Sequence, residues 1–292
     1  MILSASVLSS SPCYLGEGPM WHPARKSCFW TDIENRTLFE YKWHDQTLHS
    51  RRLDYKIALI IRDKDDHLIL GLNGGLAKLN VETGALRWLL DIEKECPDHR
   101  CNDGGVDSEG RLWVGTMHKD FREGAGSLYC LDKGLVLEKK LENVTISNGL
   151  VWSGDNSRMY YIDSPTRTVK SFFFDSGSGS IQFEKEAIRI PENLGMPDGM
   201  TIDEEGMLWV AHWGGFGVYR WNPLNGEWIG TIKLPVPHVT SCAFAGERLD
   251  RLVITTARQD LSEEELDKYP ASGDVFVASP GVKGVEARRC RF

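Results

Sequence analysis

The hydrophobic pattern of the chain is a series of short runs rather than a helical stripe. Six runs, Cys28-Phe29-Trp30, Leu68-Ile69-Leu70, Leu112-Trp113-Val114, Met159-Tyr160-Tyr161, Leu208-Trp209-Val210 and Leu252-Val253-Ile254, each follow a polar, turn-prone stretch. Counted from Phe29 through Leu68, Leu112, Met159, Leu208 and Leu252, they lie 39, 44, 47, 49 and 44 residues apart, near the roughly 40 to 50 residues of a propeller blade. Helical repeats share such periods. Runs this short, rich in aromatic and β-branched residues and bounded by Gly, Asp, Asn and Pro, predict strands instead.

A second apolar segment follows each run: Leu38-Phe39, Leu76-Ala77, Leu128-Tyr129, Val169-Lys170, Val218-Tyr219 and Val275-Phe276. Turns such as Asp175-Ser176-Gly177 and Asn225-Gly226 come after several of them, where residues that tolerate positive φ favour hairpins. The Ser176–Ser180 cluster reads as such a loop tip. With no long amphipathic helix, the expectation is an all-β chain, a six-bladed β-propeller of four-stranded antiparallel blades. At 292 residues with 41% hydrophobic content, residues 1–292 are expected to form a single domain.

Composition narrows the partners. A net charge of −8 without a basic block argues against nucleic acid, and no stretch approaches the length of a membrane span. Met1 to Pro12 lacks the basic start and long apolar core of a secretion signal. Seven cysteines, none in a Cys-x-x-Cys pair and most in strand contexts such as Cys28, Cys130 and Cys242, read as reduced and buried, so a cytoplasmic protein is expected. Cys96 and Cys101 lack two further partners for a metal site. A monomer or weak homodimer is expected.

Phase within the repeat carries the functional reading. Glu17, Asp103, Asn148 and Asp198 each precede a glycine and lie 12, 9, 11 and 10 residues before the anchors Phe29, Leu112, Met159 and Leu208. In a propeller the innermost strand of each blade begins at one face of the central channel, so these oxygens should converge there. Ser241 has the same phase, and in the second blade the position is apolar Ala58. Carboxylates gathered in a narrow channel must be protonated or share a cation, and oxygen donors suit Ca²⁺, Mg²⁺ or Mn²⁺.

Two loops on that face are long, the 16 residues from Leu112 to Leu128 and the 23 from Leu252 to Val275. The first carries His118, Lys119, Asp120 and Arg122; the second holds a helix candidate near Ser262–Leu266, with Ser262 and Glu265 at capping-box spacing. Together they predict a polar substrate rim. His118 and His212 lie near the mouth, with structural roles favoured for both. Trp30, Trp113 and Trp209 share one strand position, which predicts packing between blades. There is no Gly-x-Ser-x-Gly elbow, His-Glu-x-x-His or Walker-type loop.

At Leu15-Gly16-Glu17-Gly18-Pro19, Arg100-Cys101-Asn102-Asp103-Gly104 with Gly115-Thr116-Met117, Ser147-Asn148-Gly149 and Pro197-Asp198-Gly199-Met200, the chain resembles the senescence marker protein/gluconolactonase/regucalcin-like sugar lactonases, six-bladed propellers. Trp213-Gly214-Gly215 and the stretch from Ala257 to Val275 look most like the bacterial pentonolactonases of that family. The resemblance implies one divalent cation (Ca, Mg, Mn, Zn or Fe(II)) held by Glu17, Asn148 and Asp198; from the chemistry of ester hydrolysis, Asp198 is the expected catalytic acid/base. The resemblance also implies substrate contacts from Arg100 and Asn102, with Asp120 the nearest match to a further sugar-binding acid. It prefers Asn102 to Asp103 as the inward group. The expected reaction is metal-dependent hydrolysis of an aldonolactone in carbohydrate catabolism, with Asp198 or an outer-sphere water as the base. A metal-dependent aryl-ester or phosphotriester hydrolase, which a broad apolar rim would favour, and a non-catalytic calcium-binding propeller are the alternatives, beside a propeller that only binds a protein.

Overall fold

The computed structural model describes residues 1–291. Its strands form six sheets. Each blade runs from an inner strand at the channel to an outer strand in solvent. The inner strands are Gly16–His22, Ile57–Arg62, His99–Val106, Ser147–Trp152, Met196–Ile202 and Val239–Ala245, and they pack in succession round the channel. The six anchoring runs are the second strands and the six following segments the third, as the pitch predicts.

Burial explains why the second strands read as unbroken apolar runs. Ser27–Asp32 and Leu112–His118 are buried at every position, because blades stack face to face and cover both surfaces of a sheet. One apolar cluster fills each blade interface. Trp209, Val218 and Ile232 of blade five, for example, meet Phe244, Ile254 and Phe276 of blade six. Trp30, Trp113 and Trp209 are fully buried in three of these layers. The indole N–H groups of Trp113 and Trp209 donate to Asp107 and Asp203 at 3.0 and 2.9 Å, which satisfies their one polar atom.

The ring is closed by the chain's start, which hydropathy alone does not reveal. Ser6–Ser9 pairs antiparallel with Val275–Ala278 as the outer strand of blade six, while Ile2–Ser4 adds a parallel fifth strand to blade five. All seven cysteines are free, and six are buried; Cys96 is exposed. No helix among the described residues is long and apolar enough to cross a membrane.

Candidate metal and substrate site

Every inner strand carries a register shift near its middle: Glu17/Met20, Ile57/Leu59, Cys101/Gly104, Asn148/Leu150, Pro197/Met200 and Val239/Ser241. A bulge re-aims the side chains beside it, and here it splits the channel into two cavities. Residues at or before the shift line one of about 320 Å³, among them Glu17, Arg100, Asn102, Asn148 and Asp198. Residues after it line another of about 190 Å³ at the opposite mouth, including Asp103, Met200 and Ser241. Glycines at the shift let neighbouring strands close on one another. A Cβ on Gly149 would lie 2.5 Å from that of Met200, and one on Gly199 would lie 2.8 Å from the Cα of Ser241. These Asn-Gly and Asp-Gly pairs therefore belong to strands, not to hairpin turns.

Hydrogen bonds fix the amides. Asn148 Nδ2 donates to Ser164 Oγ at 2.8 Å. Asn102 Nδ2 donates to Ser147 O at 2.7 Å and to Asn148 Oδ1 at 3.1 Å, and Asn102 Oδ1 accepts from Arg100 Nη1. With its nitrogen held against Ser164, Asn148 keeps a lone pair on Oδ1 free for a cation. Electrostatics agree with that use. Burial, then the charge of Asp103, pushes Glu17 up to about 8. Burial, then Glu17 and Asp103, holds Asp198 well above the carboxylate range. Burial pulls Arg100 down, a loss opposed by Glu34, Glu17 and Asp198. Two carboxyls that resist ionisation beside each other, with an oriented amide oxygen, fit an oxygen-ligated divalent cation. Among the described residues no three His, Cys, Asp or Glu side chains are grouped to hold a metal, so a cation here would rest on this mixed set of two carboxylates and an amide.

Asp103 falls on the far side of the bulge, where its Oδ1 accepts from Gly104 N at 2.7 Å. Asp120 does not line the near cavity. Its side chain is 72% exposed, 3.9 Å from His118 Nδ1, while the next residue, Phe121, turns to the cavity at φ 55°. Lys119 pairs outward with Asp98 at 2.6 Å. The polar rim expected from this loop is therefore absent from the cavity wall. Leu15, Ile33, Met117, Phe121, Ile146 and Trp213 form much of it instead. His118 and His212 are both buried; His212 stacks on Tyr219 at 4.2 Å and bonds Leu194 O at 2.8 Å, a packing role.

Sequence reasoning missed Ile33, Ser164 and Pro165, and Gln259 with Asp260 on the blade-six loop. Ile33 and Ser164 each directly follow a second strand, a repeat position that could have been read from the anchors. The Ser262–Glu265 capping box is present at the start of the helix Glu263–Lys268.

Comparison with known proteins matches the architecture over the whole chain. Regucalcin of rabbit (Oryctolagus cuniculus) is 33% identical over 279 residues, covering 94% of this chain and 93% of its own. A Bacillus subtilis protein provisionally named sugar lactone lactonase YvrE is 32% identical over 276 residues, 94% of either chain. The crystal structure of a calcium-binding protein, regucalcin, from Agrobacterium tumefaciens superposes with a TM-score of 0.95 at 28% identity, covering 100% of this chain and 99% of that one. The model of the SMP-30/gluconolactonase/LRE-like region matches residues 15–258, and the chain belongs to that family.

Proposed function

We propose that the protein hydrolyses a sugar lactone to the aldonic acid, using one divalent cation. The observation that carries this reading is that Glu17, Arg100, Asn102, Asn148 and Asp198, drawn from four blades, line one cavity at one end of the channel. The lactonase named among its relatives supports the same chemistry. Glu17, Asn148 and Asp198 would hold the cation, which when bound supplies Lewis-acid polarisation of an ester carbonyl.

The remaining work falls to side chains. Arg100, partly buried and already bonded to Asn102, presents its other N–H groups to lactone oxygens and holds the ring against Asp198. A carboxylate oxygen of Asp198 takes a proton from the attacking water as the water oxygen bonds to the carbonyl carbon. The same oxygen returns a proton to the ring oxygen as the C–O bond breaks. A fixed Asn102–Asn148 pair keeps both groups from rotating, and the apolar wall excludes bulk water.

A pH-indicator assay across pentono- and hexonolactones, corrected for spontaneous opening, tests the reading. Turnover should disappear with chelator and return with Ca²⁺, Mg²⁺, Mn²⁺, Zn²⁺ or Fe²⁺. Folded protein that binds metal yet opens no lactone would instead be a calcium-binding propeller, the property named for the Agrobacterium relative.

A further inference from the structure

The polar groups of the cavity are concentrated at its floor, and most are already committed to each other. Both amide hydrogens of Asn102 are donated within the protein, its oxygen accepts from Arg100, and Asn148 gives its nitrogen to Ser164. On the side formed by blades three and four, Met117, Phe121, Ile146 and Pro165 offer no hydrogen-bonding side chain beyond the weak sulfur acceptor of Met117, and Ser164 is the one hydroxyl between them. Met117 and Ile146 are bridge partners across two blades, so their positions are set by backbone pairing. Phe121 is 50% exposed and is held at the mouth by a hydrogen bond from its N–H to His118 O at 2.9 Å. Gln259 and Asp260, the free polar side chains of the upper wall, stand on the blade-six loop.

An aldonolactone carrying a hydroxyl on every carbon would push part of its polyol edge against this apolar arc, where a buried hydroxyl goes unpaired. A methyl or methylene group there removes apolar surface from water on both partners. The volume, about 320 Å³, is at the small end for ligand sites, which leaves room for one ring and a short substituent.

We infer that the substrate is a lactone with one unoxygenated edge, a deoxy or alkyl-substituted ring, whose carbonyl faces Asp198 and Arg100 and whose alkyl end packs on Met117, Phe121 and Ile146. This deepens the lactonase reading and rests on it. A plain polyhydroxylated lactone is then a slower substrate of the same site.

The test pairs each hexonolactone with its 6-deoxy counterpart of the same configuration and measures kcat/KM for the metal-loaded full-length protein. Binding of the corresponding non-hydrolysed lactams is followed by calorimetry. The 6-deoxy member should be preferred about 10-fold or more in the best pair, the scale at which apolar pockets discriminate, with the difference in KM. Ile146→Thr and Phe121→Ser should each cut that preference several-fold, read as the ratio of kcat/KM within each pair, whatever happens to the absolute rates. Equal or inverted preference in every pair opened, or a preference unmoved in both variants, overturns the inference and leaves lactonase activity standing. If no lactone is opened, the lactonase reading fails, and the lactams decide: tighter binding of the deoxy lactam retains the apolar subsite, equal binding or none removes it.

Discussion

The two mouths of the channel are made from the same six inner strands, yet the C-terminal segment spans only one of them. At the near mouth, side chains preceding the bulges face a cavity bordered by long loops, and the one helix there buries no residue. At the far mouth the C-terminal segment crosses the ring. Gly284 N bonds Leu249 O at 2.8 Å and Lys283 O accepts from Glu204 N at 2.9 Å. Arg62 then grips Glu286 and Ala287 O at 2.8 and 2.6 Å, Arg288 reaches Asn156, and Arg291 N meets Gly110 O at 3.2 Å. Blades two to six are tied together by one segment. The difference teaches that the bulge is a divider: Glu17 and Asp198 face one side of it, and the C-terminal strap ties the blades on the other. Stability and chemistry are expected to respond separately to changes at the two ends.

The largest separation should come from Asp198→Asn. Loss of the proton-transferring oxygen is expected to lower kcat by about 10²–10⁴-fold, while the melting temperature in chelator at pH 8 stays equal or rises, because the amide is neutral at every pH in a site where burial opposes a charge. Parallel assays and melting curves check both halves. A fall in stability with unchanged kcat would erase the division between the ends.

The reverse variant is Gly284→Val. A Cβ at Gly284 would lie 2.1 Å from the Phe244 ring, so the strap or the ring must move. Overpacking of this kind costs about 1–3 kcal/mol, read as a drop of about 2–4 °C in melting temperature per kcal/mol. Turnover per folded molecule should remain that of the parent. Tail displacement that slows the reaction would join the two mouths mechanically.

These ends were not equally legible in the chain. Second and third strands announce themselves because stacked blades bury both faces, giving unbroken apolar runs. Outer strands such as Thr47–Arg52, mostly exposed along their length, carry no such signal. The N-terminal closure was hidden for the same reason. Glu17, Asn148 and Asp198 could be brought to one cavity by counting from anchors, since the fold repeats its phase. Choosing Asn102 over Asp103 could not, because a bulge breaks the two-residue alternation of a strand. The resemblance supplied that choice. Loop residues misled through polarity: His118, Lys119 and Asp120 promised a polar rim, and the turn that sends Lys119 to Asp98 and Asp120 to solvent presents Phe121 instead.

Charge at the near mouth should also mark stability with pH. In metal-free protein Glu17 is raised to about 8 and Asp103 to about 6. Between the ordinary carboxylate range and those values the folded chain holds protons that the unfolded chain has released. Stability contributed by these groups is therefore present at low pH and lost as pH rises through 6 and then 8. Melting temperature in chelator should fall over that interval, and saturating divalent cation should restore it, most at the alkaline end. Melting curves from pH 5 to 9, with and without cation, measure this; a rising curve in chelator would contradict it.

The smallest expected effect crosses the divider. Asp103 belongs to the far cavity, but its charge is the second cause, after burial, of the raised Glu17, and it contributes to Asp198 as well. Replacing it by Asn removes its own titration near 6 and lets Glu17 ionise at lower pH. In chelator, the decline in melting temperature should therefore be shallower and end earlier than in the parent. Cation affinity at pH 9 should fall only several-fold, through the loss of one nearby negative charge, because Asp103 sits beyond the bulge and donates no oxygen to the near cavity. Calorimetric titration with Ca²⁺ at pH 6 and pH 9 separates these: binding abolished at both values, rather than weakened, would make Asp103 a ligand and move the boundary between the two mouths below it.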